Sequence, residues 1–438
     1  MVAQELPFDT HPRGTMTSDP PGVQKYVTAE RVLEIEQELL RIPSSAFQEQ
    51  RIADHLAERM SDIKLEVTML DVSHPYDPTI TSRQPMGILR GTGEGASLML
   101  NGHMDPGVEM PGWSVDPYAA KFEDGWIWGM GAHDDKGGIA AAFCAVEAVI
   151  RSGTQLKGDV LLCPVIAHKL GGAGTRALLR SGVRADQCIN MEHSNNTIAN
   201  VCVGVVMVRI LVEAPELFFR YSPEAKALYW NPIEQLCEVI RRIGPSLDPI
   251  PEGSWMNFLS HPDLPGFPTH TFDTFHKEHY YQKNRTGLHS KQAELLLQFR
   301  TVPGQTLHTL RADVSALLDG IRRDHPAFNY HFELPAKGTE QGWCQEPMIC
   351  ATDHPLVEAL AAGQELASGS PAIVGGWGRL GNVGDGNIIA AHGIPTVQYG
   401  PGDIRIYKEW PTADERVLLS DLVTAARAVA FACVKLCS

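Results

Sequence analysis

The 438-residue chain contains no hydrophobic run long enough to cross a bilayer. Its opening, MVAQELPFDTHPRGTMTSDPPG, has no apolar stretch of the kind that directs secretion, so a cytoplasmic protein with a Pro-rich, extended N-terminal arm is expected. CxxC pairs and Cys/His clusters are also missing. The nine cysteines are scattered, several of them inside apolar runs such as DVLLCPV, which excludes a structural zinc ribbon. An odd number of cysteines in a long acidic chain fits a reducing compartment rather than a disulfide scaffold. Basic residues are in deficit, 37 Lys and Arg against 52 Asp and Glu, for a net charge of -15. Nucleic acid and anionic membranes are therefore not expected as partners. A small acidic ligand stays open, because a local pocket of Arg and Lys can override the global sign. No internal repeat or low-complexity tract interrupts the chain. What remains, 43% hydrophobic and 20% charged residues, is the composition of a globular protein long enough for two or three domains.

From Ala29 to Ile63 the apolar spacing predicts two helices broken at IPSS, with the Ser-Ser pair capping the second. Strand-like runs follow in LEVTMLDV, MGILRGT and SLMLNGH, and EDGWIWGMG carries an Asp-Gly hairpin signal. KGGIAAAFCAVEAVIRSG is a buried helix; DVLLCPVIA, GTRALLRSG and QCINMEH continue as strand, helix and strand. This alternation means a largely parallel sheet covered on both faces. Near Cys202 the pattern changes. VGVVMVRILV, helix NPIEQLCEVIRRIG, an irregular stretch from Pro245 to His279, strand AELLLQFR, helix QTLHTLRADVSALLDGIRR and strand FNYHFEL make a βαββαβ-like unit. After Lys337 the first pattern resumes with helix HPLVEALAAGQELA, strand PAIVGG, helix DGNIIAAH, strand PTVQYGP and a closing helix. The expectation is an α/β domain built from residues 1–202 and 338–438, split by an inserted α+β unit at 203–337.

Three short segments carry chemistry. In SLMLNGHMDPGV a strand ends in His103, and Asp105 follows on the same face, placed to fix the imidazole tautomer. The ordinary alternative is a capped strand end with a surface acid. GMGAHDDKGGIAAAF sets Asp134 and Asp135 before a helix; such acids serve a helix dipole or, beside glycines, a cation. CINMEHSNNT puts Glu192 and His193 at another strand end, where an exposed loop pair is the plain reading. A fourth segment, PVIAHKLGGAGT, ends its strand in His168 and Lys169, at a place where α/β enzymes put chemistry.

In order and spacing, GHMDPG, Trp113, GMGAHDDKGG, the G-G-A-G-T turn, IPTVQYGPG and ADERV resemble the M20 family of metallopeptidases and aminoacylases, over nearly the whole chain from about Ala29. The resemblance implies a catalytic domain with a mixed, mostly parallel sheet, interrupted by a ferredoxin-like lid that also dimerises. It implies two metal ions sharing a bridging Asp, with a Glu-Glu pair supplying general base and ligand. By that resemblance His103, bridging Asp134 and Glu192 form one metal site, and Asp105 orients His103. The second site departs from the family: His168 and Lys169 stand where it has Glu-Glu, and Pro411 stands where it has a late His. One divalent ion per chain is then expected, Mn or Zn with Fe as an alternative, suited by one nitrogen and two carboxylates. Lys169 would replace the lost ion by charge, and His168 would act as a neutral general base near pH 7.

Family members hold a substrate carboxylate through Arg and Asn, and the matching residues here are Asn284, Arg300 and Arg379. Phe218, Phe219 and Tyr221 would line a pocket for a flat ligand or pack between subunits, while the histidines of the 245–283 insert, among them His270, His276 and His279, have no assigned role. The leading expectation is hydrolysis of a C–N bond in a small aromatic or amino-acid-like carboxylate, as deamination of an aromatic amine such as 5-nitroanthranilate. The alternatives are deacylation of N-acyl amino acids and a noncatalytic ligand-binding homologue. A homo-oligomer, at least a dimer through the lid, is expected.

Overall fold

The computed structural model describes residues 22–215, 222–224, 229–251, 253–257, 260–277, 292–338, 344–375, 383–407 and 412–438. The chain forms two units, one from residues up to Cys202 together with Met348–Ser438, the other from Val203–Pro347. The second crossing falls at Pro347 rather than at Lys337, because strand Cys344–Gln345 still pairs with strand Gly204–Glu213. Among the described residues no helix is long and apolar enough to cross a membrane.

The first unit is built on a mixed sheet of six strands, in spatial order Glu66–Ser73, Thr81–Leu89, Val160–Val165, Leu98–His103, Gln187–Asn190 and Thr396–Gln398. The last four run parallel to one another, while Thr81–Leu89 is antiparallel to both of its neighbours. Alternation along Leu98–His103 explains the two-sided covering. Leu98 and Leu100 enter a core with Ile139, Phe143 and Phe431, whereas Met99 joins Leu161, Cys163, Leu178 and Ile388 in a second cluster. Helices Lys136–Ser152 and Leu419–Cys437 supply the first core, and Ala173–Arg180 and Asp385–Ala391 supply the second.

The Asp-Gly hairpin forms as expected, pairing Lys121–Glu123 with Trp126–Trp128 across Asp124 and Gly125, both at positive φ. Strand Arg416–Leu418 adds to it, its Arg416 guanidinium 4.5 Å from the Trp128 ring centroid. Two local expectations are corrected. The second helix spans Gln50–Asp62 with Glu49 as its N-cap, not the serines, because the Ser44 hydroxyl is spent on the Met104 carbonyl at 2.7 Å. The described residues of PAIVGG form no strand, only a bridge from Val374 to Ile198.

Among the described residues the second unit carries five antiparallel strands, four in the order Thr269–Lys277, Gln292–Thr301, Gly204–Glu213 and Asn329–Glu333 and the fifth, Cys344–Gln345, also on Gly204–Glu213, with helices Pro232–Ile243 and Leu307–Asp324. Val208, Ile210 and Val212 pack with Leu236, Val239, Leu310 and Leu318 as its core. Thr269–Lys277 lies inside the stretch expected to be irregular; its alternating Thr, Phe and His are the composition of an edge strand.

Glycines let the start of helix Lys136–Ser152 approach the sheet. A Cβ at Gly138 would strike Asp135 Oδ1 and the Met191 carbonyl oxygen. Gly138→Ala is therefore expected to lower stability by about 1–3 kcal/mol. Chemical denaturation measures this, and an unchanged midpoint would mean the helix start separates from the strand without cost.

Candidate active site

The strands Val160–Val165, Leu98–His103 and Gln187–Asn190 are neighbours in the sheet, and their C-terminal ends deliver His168 and Lys169, His103, and Glu192 to one place. Asp134 arrives from the loop before helix Lys136–Ser152. All of these are buried except the partly exposed His168 and Lys169.

His103 is held as a ligand would be. Its Nδ1 lies 2.8 Å from the main-chain oxygen of Asp105, which only accepts, so Nδ1 carries the proton. Its Nε2 then faces Asp134 Oδ1 at 2.9 Å and Glu192 Oε1 at 3.8 Å. A nitrogen lone pair aimed at carboxylate oxygens requires a cation or a second proton between them. Buried Glu192 Oε1 has no hydrogen-bond partner among the described residues. Ligand atoms of His103, His168 and Glu192 lie within 4.8 Å of one another, and so do those of Asp134, Glu192 and His193. The donor set therefore fits a divalent metal.

Lys169 Nζ sits 2.7 Å from Asp134 Oδ2. Burial opposes charge on both groups, yet each holds the other ionised: Asp134 lies well below the usual carboxylate range, and Asp134 with Glu192 raises Lys169. Neighbouring Asp135, which accepts from the His103 backbone N–H at 3.2 Å, is pushed well above its usual range by burial and by Glu192 and Asp134. His168 stacks on His103 with ring centroids 4.2 Å apart, its Nδ1 3.3 Å from Asp385 Oδ1 and its Nε2 3.8 Å from Glu192 Oε1. Burial lowers its pKa, but Asp385 and Glu192 outweigh burial and push it up to about 9. Two carboxylates therefore face the imidazole that was expected to act as a neutral base near pH 7.

The turn that presents His168 and Lys169 is tied down residue by residue. Gln84 Oε1 accepts from the Ile166 N–H at 3.1 Å and Glu49 Oε1 from Ala167 at 2.8 Å. Asp105 Oδ1 and Oδ2 accept from His168 and Lys169, each at 2.9 Å. These bonds hold Ala167 at φ 54°, a left-handed conformation costly for a residue with a Cβ. The Asp105 carboxylate was expected to orient His103; its carbonyl does so instead, and the carboxylate serves the turn. A second buried acid, Glu415, ties the Asp134 loop by accepting from the N–H groups of Gly131, His133 and Asp134 at 2.8–3.0 Å.

Of the residues singled out in the sequence, His103, Asp105, Asp134, His168, Lys169 and Glu192 come together. Arg300 lies half-buried in the second unit on strand Gln292–Thr301, where burial lowers its pKa. His270 is buried there beside Phe272 and Phe299. Asn284, Arg379, Pro411, Phe218, Phe219, Tyr221 and His279, and the side chain of His276, lie outside the described residues. Sequence reading missed Glu49 and Asp385. Asp385 among glycines passes for an acid on a helix dipole, and Glu49 gives no local signal.

The pattern of Peptidase family M20/M25/M40 matches residues 99–434. The N-formyl-4-amino-5-aminomethyl-2-methylpyrimidine deformylase of Bacillus subtilis (strain 168) is 24% identical over 442 residues, spanning 95% of this chain and 98% of that protein. A succinyl-diaminopimelate desuccinylase of Bordetella parapertussis is 25% identical over 412 residues, spanning 90% and 95%. Among solved structures, aminopeptidase PepT from Bacillus cereus superposes with a TM-score of 0.70 at 18% identity, covering 94% of this chain and 99% of that one. A dinuclear metal binding peptidase of the M20 family from Bacillus subtilis gives 0.66 at 14% identity, covering 93% and 97%. At these identities the structures establish the fold alone.

Glu49 offers a test of the tether. Burial, and then the Asp105 carboxylate, push it from its ordinary 4.5 up to about 8. Its protonated form is thus favoured by folding, and that contribution is lost as pH rises through about 8. Glu49→Gln keeps the acceptor for Ala167 without the titration. Thermal melting is expected to match wild type near about pH 4 and to exceed it increasingly toward about pH 9. Parallel profiles across that range would count against a buried, proton-holding Glu49.

Proposed function

Because this chain belongs to peptidase family M20/M25/M40 and so is a metal-dependent hydrolase of carbon–nitrogen bonds, we propose that it works with one divalent ion beside a fixed ammonium. The observation that carries this reading is Lys169 Nζ at 2.7 Å from Asp134 Oδ2. A bridging carboxylate needs positive charge at both oxygens, and here the lysine supplies one of them.

His103 Nε2, Asp134 Oδ1 and Glu192 would hold the ion, Mn or Zn with Fe as the alternative, which supplies the Lewis acidity that activates water near neutral pH. Lys169 keeps Asp134 ionised and occupies its second oxygen. Asp105 fixes the backbone of His168 and Lys169, so that neither side chain drifts from the carboxylates it faces. Asp385 Oδ1 faces His168 Nδ1 at 3.3 Å, which leaves Nε2 turned to the Glu192 side. We assign His168 Nε2 to carry a proton from the attacking water to the departing nitrogen.

The substrate reading that suits this site is an electron-poor aromatic amine bearing a carboxylate, such as 5-nitroanthranilate. Water oxygen bonds to the ring carbon, the C–N bond breaks, and the water proton leaves with the nitrogen as ammonia. Replacement of a carboxylate pair by His168 and Lys169 supports it, since the usual acyl-transfer base is absent. Arg300, Asn284 and Arg379 are assigned to the substrate carboxylate, and the Val203–Pro347 unit to lid and dimer formation. A second reading, deacylation of a small N-acyl compound, draws support from the deformylase and desuccinylase relatives.

The metal-loaded enzyme offered 5-nitroanthranilate and, separately, N-formyl and N-succinyl amines distinguishes the two. Ammonia from the nitroaromatic supports the first; free formate or succinate with no ammonia supports the second. In either case His168→Ala is expected to reduce kcat by about 10²–10⁴-fold with metal affinity little changed. Equal loss of both would make His168 a ligand.

A further inference from the structure

We infer that His193 is a fourth protein ligand of the ion, giving a donor set of two imidazoles and two carboxylates; this rests on the single-ion reading above. His193 Nδ1 lies 3.8 Å from Asp134 Oδ1 and 3.8 Å from Glu192 Oε2. His103 Nε2 approaches the same Asp134 oxygen at 2.9 Å and the other Glu192 oxygen at 3.8 Å. Two imidazole nitrogens thus converge on one carboxylate oxygen and bracket the second carboxylate. Separations of 3.8 Å are too long for hydrogen bonds. They suit donors around a shared ion, because ligands about 2.1 Å from a tetrahedral metal lie roughly 3.4 Å from each other.

A second ion would need a second face of Asp134, and Lys169 Nζ already covers Oδ2. Asp134 is thus left with Oδ1 for a cation, the oxygen that His103 Nε2 and His193 Nδ1 both approach. The His193 ring is also held in orientation. It is buried, packs at 4.4 Å between ring centroids on His133, and His133 in turn meets the Tyr407 ring edge-on at 5.5 Å. The backbone just beyond is pinned: the Ser194 N–H donates to the Gly400 oxygen at 3.1 Å, and the Gly400 N–H donates back to Ser194 Oγ at 3.0 Å. Glu192 and His193 follow a strand that ends at Asn190, so two consecutive side chains can turn toward the same point instead of alternating.

The test uses the full chain loaded with Cu²⁺ and counts coordinated imidazoles by pulsed electron paramagnetic resonance. His168→Ala serves as the control for the third nearby imidazole. The expected count is two in wild type and in His168→Ala, and one in either His103→Ala or His193→Ala. Calorimetric titration with Zn²⁺ is expected to show His193→Ala binding about 100-fold more weakly than wild type. An unchanged imidazole count in His193→Ala, or unchanged Zn²⁺ affinity, overturns the assignment. The spin count separates this from the reading beneath it: two coppers per chain would sink the single-ion reading, while a lost imidazole in His193→Ala would still keep His193 as a ligand. His193→Gln, which preserves side-chain bulk, repeats the count should the alanine variant fold poorly.

Discussion

The ion pair between Lys169 and Asp134 sets the charge of everything around it. It sits among buried carboxylates whose mutual repulsion would otherwise be severe, since Asp134, Asp135, Glu192 and Asp385 share one pocket. An ammonium at 2.7 Å keeps Asp134 charged and ready for a cation, while Asp135, without such a partner, is driven toward its neutral form. Removal of the Lys169 ammonium would leave buried Asp134 without its nearest positive partner, which makes Lys169 hard to replace without rebuilding the pocket.

Holding that pair requires a rigid backbone, and the protein obtains it from acids that act on main-chain N–H groups. Asp105 and Glu49 grip three consecutive residues before and within the His168–Lys169 turn, and Glu415 grips the loop bearing Asp134. Each buried carboxylate is stabilised by donors that would otherwise lack partners, and each loop is fixed in return. Glu415 reaches its place because strand Arg416–Leu418 pairs with the tryptophan strand, so the far end of the chain sets the position of a central site loop. Sheet geometry supplies the rest: three adjacent strands end together, and their loops share one pocket.

Much of this was legible in the sequence. Alternating strands and helices gave the sheet, and the H-x-D, D-D and E-H segments, each weak alone, marked His103, Asp134 and Glu192 once their order was read as a family pattern. Lys169 stood out by charge type alone. The rest was hidden for physical reasons. Glu49 and Asp385 act across long sequence separations on the residues they hold, and no local pattern reports which distant backbone a carboxylate will meet. His193 was masked by its neighbour: beside Glu192 it passed for half of a loop pair. Asp105 was found for one role and holds another, since its spacing predicts that it lies near His103 but not which of its oxygens faces the ring. The Thr269–Lys277 strand escaped because proline and glycine before it suggested irregular chain.

Metal stoichiometry separates one ion beside an ammonium from two ions sharing Asp134. The full chain, equilibrated with excess Zn²⁺ and freed of loosely held ion by gel filtration, would be analysed for zinc per polypeptide. One zinc per polypeptide is expected, with Lys169 occupying the charge position of the other. Two tightly held ions in the wild-type chain would contradict it, because the ammonium on Asp134 would then have to move aside for a cation.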